Sequence, residues 1–219
     1  MLFWGVFGLG AALRFVGLDK GIWLDEYTSI VLAHNEQFIA GLRLDDHPPL
    51  YYILLRAVLS ISDSEPAARL LSIAFGIAML FTLMVWLRRY SLAAGVVGGL
   101  IGGTAPTMLR FSQELRSYPI LLFGTVLGFY FAAAIVAQPA RLSNYLGLAM
   151  GLLLAVMSHL VGPAVVVMTL VYLLTSEPNW RRFKWTWLAC AILAPALLFV
   201  LGLKQFRAGL SSCSPSVLY

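Results

Sequence analysis

Long apolar stretches separated by short polar segments dominate this sequence. Hydrophobic residues make up 60% of the 219 residues and charged residues only 11%, whereas a soluble domain carries roughly 25% charged residues. The mean hydropathy is +0.85. The sequence therefore predicts an all-α integral membrane protein with several spans and no soluble domain.

Apolar runs of about the length of a bilayer crossing, roughly 20 residues, recur along the chain. The predicted spans are 1–18, 66–87, 92–109, 119–137, 143–158, 160–175 and 185–203. Gly162 and Pro163 favour two helices and a tight turn over one long helix at 143–175. We predict one partial transmembrane domain at 1–204 with about seven spans, and an unassigned, apparently truncated tail at 205–219.

Eight of the ten acidic residues lie between Asp19 and Glu65, in a segment flanked by hydrophobic spans. Because a carboxylate is costly in hydrocarbon, this segment is expected to be a watery or interfacial loop. Residues 26–42 predict an interfacial helix in the membrane plane, and residues 50–60 a helix too short to cross. A loop that concentrates carboxylates, a histidine and aromatic side chains is a candidate active site.

The basic residues argue for a membrane rather than for a nucleic-acid partner. The net charge is +5, but basic residues form short groups at predicted helix ends, for example at 88–89 and 181–184, as is usual in membrane proteins. Such groups face the cytoplasm, which places the acidic loop, 110–118 and His159 on the outer face. Arg14 is expected to snorkel to that face. The predicted location is the inner (plasma) membrane, multi-pass, with the loop facing the periplasm or exterior.

Three groups of residues in the outer loops could carry chemistry. Asp25 and Glu26 can be helix N-terminal acids or supply a general base. Residues 45–49, Asp-Asp-His-Pro-Pro, can form a turn or contribute metal ligands. Arg116 can be an interfacial anchor or can grip a phosphate with two N–H groups. His159, alone on an outer turn, is interpreted as an interfacial polar residue, and the two cysteines support neither a disulfide nor a metal site.

Four blocks of sequence resemble bacterial family 39 glycosyltransferases in order and spacing. They are Trp-Leu-Asp-Glu at 23–26, Asp-His-Pro-Pro-Leu-Tyr-Tyr at 46–52, Glu65 with Ala-Arg-Leu-Leu-Ser at 68–72, and Gln-Glu-Leu-Arg-Ser-Tyr at 113–118. The chain is thus similar to protein O-mannosyltransferases and to the aminoarabinose transferase of lipid A. The resemblance covers about residues 1–175 and implies a multi-span helical bundle of the GT-C class with interfacial helices in its first outer loop.

The resemblance also implies roles. Asp25 would be the general base and Glu26 its supporting partner. His47, Arg116 and Tyr118 would lie near the donor phosphate, and Asp46 would lie near that phosphate or bind a divalent metal ion, the one candidate cofactor. The implied partners are the lipid bilayer, a polyprenyl-phosphate sugar donor and a hydroxyl acceptor. Relatives are about twice as long, so residues that their later loops supply are missing here.

Two other functions stay open at this point. A non-catalytic or fragmentary membrane protein derived from the same fold would act as a binding or assembly subunit. A transporter would place charged residues near the bilayer midplane, whereas the acidic cluster here lies in a loop. The sequence discloses neither the sugar nor the acceptor.

Overall fold

The structure is a computed structural model that describes residues 1–18, 20–45, 47–176, 183–195 and 197. All regular structure in these residues is helical. The helices are α1 (Leu2–Leu13), α2 (Leu24–His34), α3 (Phe38–Leu44), α4 (Leu50–Leu59), α5 (Glu65–Arg88), α6 (Leu92–Thr104), α7 (Pro106–Gln113), α8 (Tyr118–Ala137), α9 (Leu142–Ser158), α10 (Gly162–Ser176) and α11 (Trp185–Pro195). The tail predicted at 205–219 and the basic residues Arg181 and Arg182 lie outside the described residues.

Two helices of the described part, α5 and α8, are long and apolar enough to cross a membrane. The pair α6 and α7 would make a third span if the two count as one, although it bends by 60°. The bend falls at Pro106, which has no N–H to donate and clashes with the preceding turn. The predicted spans at 66–87 and 119–137 are therefore present, and the one at 92–109 is broken.

The predicted spans at 1–18, 143–158 and 160–175 correspond to apolar helices of 12, 17 and 15 residues, shorter than the roughly 20 residues of a straight crossing. Helix α11 covers the described part of the span predicted at 185–203. Helix α1 ends at Leu13 instead of continuing to residue 18, because the chain turns there and Gly17 has a φ of +75°. Helix α9 ends at Ser158 and α10 begins at Gly162. The predicted tight turn between these two helices is confirmed.

Glycines let the helices of the bundle approach closely. A methyl group on Gly99 of α6 would meet the Met84 side chain of α5, and one on Gly103 would meet the backbone of Gly10 in α1 at 3.1 Å. Between α8 and α9, a methyl group on Gly124 would lie 2.7 Å from the carbonyl oxygen of Gly151. Only glycine fits such backbone contacts.

In the loop between α1 and α5, two short helices replace the one interfacial helix predicted for residues 26–42. Helix α2 ends at His34, and α3 begins at Phe38. Phe38 is buried in a cluster with Leu42, Leu55 and other apolar residues, whereas Ile39 is exposed. The single apolar side predicted for residues 26–42 is therefore divided between two helices.

The predicted site residues lie at one end of the bundle. Helices α5 and α8 run parallel, with Phe75 packed against Phe123 at 5.8 Å between ring centroids and Arg89 stacked over Tyr130 near their other ends. Both helices start at the end where α9 finishes. The acidic loop, the segment 110–118 and His159 therefore share an end, opposite Arg89, as predicted.

Candidate active site

A buried ion pair between Glu26 and Arg69 organises the site. The two side chains are each 3% exposed, and Nη1 of Arg69 lies 3.2 Å from Oε1 of Glu26. The Glu26 carboxylate also accepts the backbone N–H of Leu115 at 2.8 Å and that of Trp23 at 3.1 Å. Glu26 thus caps the first turn of α2, as an acidic residue near a helix N-terminus can. It also holds the segment before α8 against this turn.

Arg69 extends this network to three segments of the chain. Its guanidinium donates to Glu65 at 2.6 Å, to the carbonyl of Gln113 at 2.7 Å and to the carbonyl of Lys20 at 3.1 Å. Nearby, the Ser72 hydroxyl donates to the carbonyl of Glu114 at 2.6 Å. Buried charges are stable only when they are paired and hydrogen-bonded in this way. The network therefore fixes the start of α2 relative to α5 and the segment 113–115.

Asp25, although adjacent to Glu26, points in a different direction. Its side chain is 75% exposed, and its Oδ2 lies 3.9 Å from Nη2 of Arg116. Its backbone carbonyl accepts hydrogen bonds from Thr28 and Ser29. The carboxylate is thus accessible to solvent, while hydrogen bonds fix the backbone that carries it.

Arg116 and Tyr118 come together with Asp25 around one cavity of about 170 Å³, which Glu26 and Arg110 also line. Arg116 is mostly buried and reaches the Asp25 carbonyl with Nη1 at 3.4 Å. Tyr118 stacks on Phe111 with ring centroids 4.8 Å apart. The structure therefore joins residues that are about 90 positions apart in the sequence.

A second cavity of about 260 Å³ adjoins the first. Trp23, Glu26, Arg110 and Glu114 line both. Arg110 forms an ion pair with Glu114 and lies over the Trp23 ring at 5.5 Å. The two neighbouring cavities are together called the groove below, and Asp25 lines the first of them.

His47 belongs to a separate polar group beside this groove. Its Nδ1 lies 3.0 Å from Oδ1 of Asp45, which also accepts the His47 backbone N–H and the Tyr52 hydroxyl. Burial opposes ionisation of Asp45, but these hydrogen bonds and the charge of His47 outweigh burial and lower its pKa. Burial also raises the pKa of Tyr52 well above its ordinary value, so at neutral pH this phenol is a hydrogen-bond donor.

His159 links His47 to the groove. Its ring lies 5.9 Å from the His47 ring and 5.3 Å from the Tyr118 ring, measured between centroids. Burial and the charges of His47 and Arg116 lower its pKa. His47 therefore approaches Tyr118 through His159 rather than lining the Asp25 cavity itself.

The candidate metal ligand, Asp46, lies outside the described residues, so its placement stays a prediction. Within the described part, no group of three or more His, Cys, Asp or Glu side chains is arranged to hold a metal ion. The described residues around His47 thus do not by themselves form a metal site, and we derive no catalytic step through a metal.

Three residues of this end of the bundle were not assigned their roles from the sequence. The sequence does indicate an ion pair of Arg69, because Glu65 precedes Arg69 by one helical turn. For His159, the sequence predicts only that the residue lies on the same side of the membrane as the acidic loop, which is a weaker indication of its role. Arg14, predicted to snorkel, is instead fully buried and donates to the carbonyls of Gly10 at 2.6 Å and Gly102 at 3.1 Å.

Comparison with known proteins gives a family. The sequence profile described as dolichyl-phosphate-mannose-protein mannosyltransferase matches residues 46–202, more than two thirds of the chain. Neither the curated proteins nor the solved structures give a significant match. The helical fold with membrane-crossing helices agrees with the profile, which represents membrane glycosyltransferases. The chain belongs to the dolichyl-phosphate-mannose-protein mannosyltransferase family.

Proposed function

We propose that the protein transfers a sugar from a polyprenyl-phosphate-linked donor to a hydroxyl group of a protein, lipid or glycan, with Asp25 as the general base. The observation that carries the proposal is the exposed Asp25 carboxylate, 3.9 Å from Arg116 at the edge of a cavity. The family match begins at residue 46, so the role of Asp25 rests on this geometry and on its resemblance to the family's Asp-Glu pair.

The reaction needs a base on one side and positive charge on the other. Asp25 takes the proton of the acceptor hydroxyl, whose oxygen attacks the anomeric carbon of the donor sugar. The bond from that carbon to the phosphate oxygen breaks, and the phosphate leaves as an anion with the bonding electron pair. Because the leaving group needs no proton, a cation such as Arg116 is sufficient to stabilise it. One displacement of this kind inverts the anomeric configuration.

Glu26 acts in this scheme as a positioning residue. Both of its oxygens are occupied by Arg69 and by backbone N–H groups, so it does not face the reacting atoms. Its ion pair keeps the first turn of α2 in place and thereby fixes the direction of the Asp25 side chain. His47 and Tyr118 complete the phosphate side of the site, and a metal at Asp46 stays a prediction that chelation during transfer would test.

The orientation in the membrane is part of the proposal. Arg88 and Arg89 lie at the end of α5 opposite the site, and basic helix ends face the cytoplasm. The site then opens to the periplasm or exterior of the cell, and the protein resides in the inner (plasma) membrane. The polyprenyl chain of the donor would lie against the apolar helices.

A non-catalytic member of the family is the second candidate function. A binding or assembly subunit would have no need for a free carboxylate beside a buried arginine. Among the described residues, the Asp25 carboxylate accepts no hydrogen bond and its one ion pair is the 3.9 Å approach to Arg116, whereas Glu26 is fully engaged. This contrast favours the enzyme, and the loop position of the carboxylates likewise disfavours a transporter.

The substitution Asp25→Asn tests the base directly, since it keeps the size of the side chain and removes its proton affinity. We expect transfer by the protein in proteoliposomes to fall by a factor of about 10² or more, with unchanged membrane insertion. Asp63→Asn is the matched control, because Asp63 is equally exposed but pairs with His34 away from the cavity. Near-normal transfer by Asp25→Asn would remove Asp25 from the mechanism.

A further inference from the structure

The ring of His159 occupies the break between α9 and α10 and is directed toward the phosphate side of the proposed site. It lies against Tyr118 at 5.3 Å and near His47 at 5.9 Å, measured between ring centroids. The charge of Arg116 acts on it as well. A phenylalanine ring would fill this space as well as a histidine ring does, so packing alone does not explain the two ring nitrogens.

One of these nitrogens has a structural partner, and this partner determines what the other can do. The backbone N–H of Val161 donates to Nδ1 of His159 at 3.1 Å. Nδ1 is therefore unprotonated, and the neutral ring carries its proton on Nε2. Since the pKa of His159 is lowered, this neutral form dominates at pH 7. The ring consequently offers one fixed N–H donor without adding a positive charge.

The neighbours of His159 are also donors. Arg116 carries five N–H groups, and Tyr118 carries a phenolic hydroxyl. His47 donates its Nδ1–H to the Asp45 carboxylate, so its Nε2 is a donor only in the protonated ring and an acceptor in the neutral one. Donors from two separate segments of the chain, 116–118 and the turn that carries His159, thus lie near one another. Such a set suits a tetrahedral oxyanion, whose oxygens accept from several directions.

We propose that His159 is a further phosphate-binding residue, which donates its Nε2–H to the phosphate of the polyprenyl-linked donor beside Arg116. This inference rests on the proposed function. It assigns to the turn between α9 and α10 a part in recognition of the sugar donor, whereas the sequence alone indicates that His159 is an interfacial polar residue. The Nε2–H group of His159 binds the phosphate before transfer. It also stabilises the negative charge that the phosphate gains when its bond to the sugar breaks.

Three substitutions distinguish the hydrogen bond from Nε2–H to the phosphate from the structural roles of the His159 ring. His159→Phe keeps a flat ring against Tyr118 but removes both nitrogens. His159→Asn keeps an acceptor near the position of Nδ1 for the Val161 N–H but lacks the Nε2 donor. His159→Gln places an N–H donor near the position of Nε2. His34→Phe is the matched control, because His34 lies on the surface and pairs with Asp63.

The measurement is binding of a polyprenyl monophosphate relative to the corresponding uncharged polyprenol, with each protein in lipid nanodiscs. A hydrogen bond to a charged group contributes about 1.5–3 kcal/mol, so losing it should reduce the preference for the phosphate by roughly 10-fold or more. We expect this reduction in His159→Phe and His159→Asn, and a preference near that of the wild type in His159→Gln and His34→Phe. Thermal unfolding confirms that each variant is folded.

The outcomes distinguish the two proposals. If the wild type prefers the phosphate and both His159→Phe and His159→Asn keep that preference, the role of His159 is wrong while the donor class stands. If the wild type itself shows no preference, the polyprenyl-phosphate donor is wrong, and the role of His159 falls with it. Loss of the preference in both variants with rescue by His159→Gln supports the inference, because a purely structural ring would not be rescued in this way.

Discussion

Arg69 and Glu26 form a salt bridge of 3.2 Å in which both side chains are almost completely removed from solvent. They come from different helices, 43 residues apart, and meet at the end of the bundle that carries the proposed site. Asp25 projects into the cavity from the helical turn that this pair holds. The pair therefore couples the stability of this end of the bundle to the position of the proposed base.

Removing Glu26 should destabilise the protein more than removing Glu65. In Glu26→Ala, the N–H groups of Leu115 and Trp23 lose their acceptor, and Arg69 loses its buried counter-ion and keeps the partly exposed Glu65 as its ion-pair partner. Breaking a buried pair costs about 3–5 kcal/mol, so the unfolding temperature in detergent should fall sharply. Glu65→Ala is the matched control with a smaller expected loss, and equal losses in both variants would contradict the central place of Glu26.

Gly76 of α5 lies at a second close contact within the bundle, next to Ser112 and Arg14. A methyl group there would meet the Ser112 side chain and would lie 3.1 Å from Nε of Arg14, and Arg14 Nε donates to the Ser112 hydroxyl at 3.2 Å. Gly76→Ala should therefore force α5 and α7 apart and cost about 1–3 kcal/mol, measured as a loss of thermal stability.

The control for this prediction is Gly8→Ala in α1, where a methyl group would have no other atom within 4 Å. That change should be neutral or slightly stabilising, because alanine is the better helix former. Unchanged stability of Gly76→Ala would show that the contact between α5 and α7 is looser than the structure indicates.

The two ends of the bundle should be accessible from opposite sides of the membrane. Ser62 precedes α5 at the site end, Ser91 precedes α6 at the other end, and both are exposed. In a background without Cys190 and Cys213, Ser62→Cys in intact cells should react with an impermeant thiol reagent, and Ser91→Cys should react only after lysis. Labelling of both from outside would put the proposed site in the wrong compartment.

Periodicity and charge grouping were enough to predict the helical class, the two long helices α5 and α8, and the common end of Asp25 and Arg116. They could not separate Asp25 from Glu26, because neighbouring helical residues point about 100° apart and only the position of Arg69 decides which of them is buried. Arg14 illustrates the same limit. Its burial depends on the carbonyl of Gly102 and the hydroxyl of Ser112, partners that are distant in the sequence.

The lowered pKa of His159 predicts how stability depends on pH. In the folded protein, the half-buried ring meets the charges of His47 and Arg116, so it takes up a proton at lower pH than in the unfolded chain. An unfolded histidine titrates near pH 6.5. Between that value and the lower folded pKa, the unfolded state binds more protons, so stability falls as the pH drops through and below about 6.5. In His159→Gln, which has no titrating ring here, the unfolding temperature should fall less over this interval than in the wild type. Parallel falls in the two proteins would show that His159 does not face these charges in the folded state.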